Sequence, residues 1–165
     1  MGAELFGDTS IDGDIEVVSL MVDTLQSVDK GLNDDASRAP VGRKLQRLTV
    51  DLGHVAIYRA IVEAIKEKNP SCSDDDLHRL FDAVQRKSAP DLQVLLPSML
   101  TDKELVNIVT DLPSLCGDVS VLSRARDLLA PLGAVVSDAL NQLERTVEVL
   151  SSRFPDVAVY LDLGE

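Results

Sequence analysis

Apolar residues recur at helical spacing through most of this chain and alternate only near its two ends and around residue 50. Ala3, Glu4, Leu5 and Phe6, followed by Gly7, read as a short strand entering a turn. From Ile11 the spacing is helical. Ile15, Val18, Met21, Val22, Leu25 and Val28 form one stripe, and Gly31 stands where a C-terminal cap belongs. Residues 48–52 alternate and are rich in β-branched side chains, which predicts a strand. Gly53 breaks that run before a second helical stripe of Val55, Tyr58, Val62 and Ile65, which Asn69-Pro70 ends.

Beyond Ser71 the pattern is almost wholly helical. Ser73 ahead of Asp74, Asp75 and Asp76 suits a helix start, with Leu77, Leu80, Phe81 and Val84 as its buried stripe. A short helix opens at Ala89-Pro90 and stops at Pro97. Thr101 and Glu104 have the spacing of a capping box, and Leu105, Ile108, Val109 and Leu112 follow. Asp118 opens another helix, closed by Pro131 and Gly133. Val136, Leu140, Leu143, Val147, Leu150 and Phe154 mark the longest uninterrupted stripe, and Val157, Val159 and Leu161 alternate as a final strand. The predicted fold class is α+β and mostly helical, with two or three strands. A sheet that small reads as part of a larger fold.

Composition narrows the role. With 165 residues, 45% of them hydrophobic, the chain can bury a core, so disorder is excluded. A formal net charge of −12 and a pI near 4.5 repel nucleic acid. The basic residues Arg38, Arg43, Lys44 and Arg47 cluster around Pro40 and Gly42, which reads as a solvated loop or as a phosphate contact. Cys72 and Cys116 lack metal-ligand spacing and read as reduced thiols. Acidic residues rather than a basic and apolar leader follow Gly7, and no apolar run is long enough to span a membrane, so a cytoplasmic protein is expected.

Chemistry-bearing residues are few. Nucleophilic catalysis needs a base, and the only histidines are His54 and His78. His78 reads as a solvated helix residue. His54 follows a strand and Gly53 at the start of a helix, where exposed amides bind an anion or the imidazole simply caps the turn. The three aspartates at 74–76 lack the glycine and alternating ligands of a calcium loop. No metal site, cofactor or catalytic residue is expected from these residues.

Several segments carry a resemblance. Gly2-Ala3-Glu4-Leu5-Phe6-Gly7, followed by residues 11–18, resembles the segment just after motif 2 in the histidyl-tRNA synthetase superfamily. Leu48-Thr49-Val50-Asp51-Leu52-Gly53-His54-Val55-Ala56-Ile57-Tyr58-Arg59 resembles the regulatory subunits of ATP phosphoribosyltransferase, the synthetase-like paralogues of histidine biosynthesis. Phe81-Asp82-Ala83-Val84-Gln85-Arg86-Lys87 and residues 157–165 are similar to the same family.

The resemblance implies part of a class II aminoacyl-tRNA synthetase-like antiparallel sheet with a helical insertion. Residues 1–53 and 155–165 would belong to the synthetase-like α+β domain, and residues 54–154 to the helical region. Motifs 1 and 2 would precede Met1, and the histidine loop and motif 3 would follow Glu165, so an internal fragment is expected. It further implies a non-catalytic subunit that does not charge tRNA. Such a subunit assembles with the short-form catalytic subunit, which condenses ATP with phosphoribosyl pyrophosphate in the first step of histidine synthesis, and confers feedback control by histidine. Self-association is implied for the full-length form. Glu4 matches the acidic position that contacts the amino group of histidine. Two alternatives stand beside this: a piece of a genuine histidyl-tRNA synthetase, and a stand-alone helical interaction module.

Overall fold

The computed structural model describes residues 5–8, 10–34 and 48–164, with side chains of 29–34 excepted. Seven α-helices and three short strands are formed among these residues. They are α1 (Ile11–Asp34), β1 (Thr49–Leu52), α2 (Val55–Lys68), α3 (Asp74–Gln85), α4 (Ala89–Met99), α5 (Lys103–Asp111), β2 (Cys116–Gly117), α6 (Val121–Leu129), α7 (Ala134–Arg153) and β3 (Ala158–Asp162). The strand order is β1-β3-β2. The small sheet is mixed, and the antiparallel pairing is seen between β2 and β3, where Cys116 faces Asp162 and Gly117 faces Leu161.

The chain divides into two compact units, residues 1–50 with 146–158, and residues 51–145 with 159–165. In the first, α1 buries Ile15, Ser19 and Val22, and the end of α7 buries Val147, Leu150 and Phe154. The Arg153 guanidinium pairs with Asp23 at 2.7 Å, and the Ala158 amide donates to the Leu48 carbonyl at 3.0 Å. In the second, α3 packs on α4, α4 on α5, and α2 on α5. Ile57, Ile61 and Ile65 form a fully buried ridge along α2, as their four-residue steps dictate.

Several local expectations are corrected. Leu5 and Phe6 are outside any strand; Ala3 and Glu4 lie outside the described residues, as does the basic cluster Arg38, Arg43, Lys44 and Arg47. Helix α1 runs through Gly31 to Asp34, because a glycine weakens a helix by about 1 kcal/mol without forcing it to end. Its apolar stripe is only partly covered, since Met21, Leu25 and Val28 are exposed. Helix α4 continues past Pro97 to Met99; proline forfeits one internal hydrogen bond, and burial of Leu96 and Met99 holds the last turn. The two-residue β2 is too short to leave an alternating pattern.

The cap of α5 is Asp102 rather than Thr101. One Asp102 carboxylate oxygen accepts from the Glu104 and Leu105 amides, both at 3.1 Å, so a charged acceptor takes the helix start. Those amides and the Lys68 ammonium hold the Asp102 carboxyl below its ordinary range. Because the folded-state value is depressed, this contribution to stability is present above about pH 4 and fades as pH falls further. Asp102→Ala is expected to lower thermal stability and Thr101→Ala to leave it unchanged at pH 7, with the gap closing in melts at about pH 3.

Candidate functional site

Strand β1 ends at Leu52, and Gly53 and His54 turn the chain directly into α2. His54 has extended backbone geometry and caps the helix through its side chain: Nδ1 accepts from the Ala56 amide at 3.2 Å. That assignment makes Nε2 the donor to Gln142 Oε1 on α7, at 2.9 Å. The imidazole therefore occupies an amide that an anion would need, and the capping alternative of the sequence reading holds. His54→Ala is expected to cost about 1 kcal/mol in urea unfolding, and His54→Asn, which restores a good capping acceptor, about half of that or less.

The remaining sequence candidates separate. His78 is exposed on α3, where its proximity helps lower the Asp74 carboxyl, mainly held down by the Lys66 ammonium at 2.9 Å. Asp76 closes a capping box with Ser73: the Asp76 amide donates to Ser73 Oγ at 3.2 Å, and the Ser73 amide donates to the Asp76 carboxylate at 3.3 Å. The triple aspartate is thus a helix start. Burial, with Asp76 nearby, pushes the Cys72 thiol up. Among the described residues, no group of three or more His, Cys, Asp and Glu is placed to hold a metal ion. No helix among them is long and apolar enough to cross a membrane.

The tertiary structure instead joins three of the segments singled out above. Tyr58 on α2 meets Phe81 on α3 edge to face, with ring centroids 4.1 Å apart. At the far end of α3, Lys87 reaches Asp162 on β3, its ammonium 2.7 Å from Oδ2. The α3 terminus is a two-bond C-cap in which the Lys87 amide donates to Val84 and the Ser88 amide to Ala83. This motif needs a left-handed residue, and Lys87 supplies it at φ +53°, where glycine is the usual choice.

The backbone turn aims the lysine at the sheet. Asp162 is buried, and its second oxygen accepts from the Gly164 amide at 3.1 Å. Cys116 sits across the ladder from Asp162, and Tyr160 lies two residues earlier on the same strand face. The hydrogen bond to Asp162, then the neighbouring Cys116 sulfur, raises the Lys87 ammonium well above its ordinary range. Contact with Cys116 likewise raises the Tyr160 hydroxyl. A lysine held so firmly protonated binds an anion or a carboxylate and does not act as a base at neutral pH. Here its partner is already the chain's own Asp162, so the cluster fastens α3 to the β2–β3 ladder.

Sequence reasoning missed this pairing, although it quoted both halves of it. The one available signal was a lysine just beyond a helix C-terminus where glycine is usual.

Known proteins extend the picture. The sequence profile of the family described as Histidyl-tRNA synthetase matches residues 1–165. A Pseudomonas entomophila (strain L48) protein named ATP phosphoribosyltransferase regulatory subunit is 39% identical over all 165 residues, and one of the same name from Pseudomonas savastanoi pv. phaseolicola is 38% identical. The matched region is 36% of each of these relatives, so the chain spans little more than a third of their length. A crystal structure described as an ATP phosphoribosyltransferase regulatory subunit/histidyl-tRNA synthetase from Bacillus halodurans C superposes with a TM-score of 0.68. At 22% identity it covers 96% of this chain and 36% of that one, which establishes the common synthetase-like fold. Matched along its whole length by the family profile and sharing that backbone, the chain belongs to the histidyl-tRNA synthetase family.

Proposed function

We propose that this chain is a segment of a regulatory subunit of ATP phosphoribosyltransferase. In this reading it is non-catalytic and cytoplasmic. It contributes to a subunit that assembles with the catalytic transferase, supports the first step of histidine synthesis and transmits inhibition by histidine. The observation that carries the reading is identity of 36–39% along all 165 residues to relatives bearing that name. Residues 1–53 and 155–165 would form the sheet-bearing part and residues 54–154 the helical part. Glu4 would hold the ammonium group of histidine through a charge-assisted hydrogen bond.

The test is a chimera in which this chain replaces the matched third of the Pseudomonas entomophila subunit. Co-expressed with the catalytic subunit, it is expected to co-purify with it and to restore histidine-inhibited transferase activity. Glu4→Gln should weaken histidine inhibition by about tenfold or more while leaving co-purification intact. A chimera that charges tRNA with histidine and fails to activate the transferase would instead favour the synthetase reading, which the family profile keeps in view.

A further inference from the structure

The apolar arc of α1 is wider than the face it buries. At 3.6 residues per turn, the side chains from Ile15 and Val22 through Val18, Leu25 and Met21 to Val28 sweep roughly 140° of the helix circumference. Glu16, Asp23, Thr24 and Ser27 take the opposite side, together with Leu20, which is 58% exposed and stands apart from the stripe. Ile15 and Val22 are buried, yet Met21 is 44% exposed, Leu25 48% and Val28 54%. An apolar arc covered along one edge and exposed along the other leaves room for a second packing partner beside the first.

Length supplies the second argument. The relatives matched along all 165 residues contain almost two further thirds of polypeptide outside the matched region. We propose that the Met21–Leu25–Val28 stripe of α1 is the seat of that remaining part of the family fold, which packs on it as the second layer of an α1-centred core. A second copy of this chain is the poorer occupant. Three side chains over two helical turns fall far short of the roughly 1,200–2,000 Å² that a stable dimer buries. The proposal rests on family membership and not on the regulatory role, so it stands or falls apart from transferase activity.

Protection of an introduced thiol tests it. In a Cys72→Ser, Cys116→Ala background, Leu25→Cys is labelled with a maleimide in the 165-residue chain and in the chimera with the Pseudomonas entomophila subunit. Val94→Cys, at a position 75% exposed on α4, serves as the reference. The expected result is fast labelling of Leu25→Cys in the 165-residue chain and labelling at least about tenfold slower in the chimera, with Val94→Cys unchanged within about twofold. Equal labelling of Leu25→Cys in both proteins would overturn the proposal. So would protection in the 165-residue chain that grows with its concentration, which would mark a second copy as the occupant. Should the chimera fail to fold, a cysteine at the aligned position of the Pseudomonas entomophila subunit itself gives the same two readings: protected in support, freely labelled against.

Discussion

Ile61→Ala is expected to destabilise the protein by about 3–4 kcal/mol, lowering its melting temperature by about 6–15 °C. Ile61 is fully buried at the centre of the α2 ridge, between the equally buried Ile57 and Ile65. Truncation removes three carbons from water-free surroundings and leaves a cavity, because the packed α2 and α5 backbones cannot close it. Val55→Ala on the same helix is the control, since Val55 is 56% exposed and its loss should move stability by less than about 0.5 kcal/mol. Urea unfolding of both variants checks the pair. A shift at Ile61 no larger than that at Val55 would mean that α2 does not pack through this face.

Lys87→Met is expected to cost about 1–3 kcal/mol, because it takes the ammonium away from the buried Asp162 carboxylate and leaves it the hydrogen bond from the Gly164 amide. The lysine side chain is 43% exposed, which keeps the effect below that of breaking a fully buried pair. Two further variants separate the charge from the backbone. Lys87→Gly loses the same ion pair but relaxes a left-handed residue, so it should be about 1 kcal/mol more stable than Lys87→Met. Asp162→Asn in the Lys87→Met background removes the stranded charge and should recover part of the loss.

The alkaline limb carries the same signature. Asp162 raises the Lys87 ammonium above its ordinary value in the folded state. The ion pair therefore contributes fully below about pH 10.4 and is lost progressively as pH rises beyond it. Urea midpoints of the native chain and Lys87→Met should converge above that pH. A gap unchanged up to pH 11.5 would show that the lysine acts by packing alone.

The legible parts of the fold are those whose causes are local. The helices α2, α3, α6 and α7 and the strands β1 and β3 follow from periodicity and from end signals such as Ser73 and Asn69-Pro70, because 3.6- and 2-residue repeats act within one element. Local rules also misplace ends where two candidates compete. Thr101 and Asp102 both suit a helix start, and the carboxylate takes it. Gly31 and Pro97 are weak stops that the rest of the helix overrides. For the site, the sequence points to His54 and the family-like segments, but not to the contact between two of them. Lys87 and Asp162 lie 75 positions apart, a separation no local pattern encodes.

Composition and spacing by themselves determined a helix-rich α+β segment with few reactive groups, and motif resemblance determined its family. Tertiary structure alone decided that β2 exists, that Lys87 adopts a left-handed turn to reach Asp162, and that α1 covers only one edge of its apolar arc. The division has one physical reason. A residue's own backbone preference is written in its neighbours, whereas which apolar or charged surface finds a partner depends on chain brought back from far away.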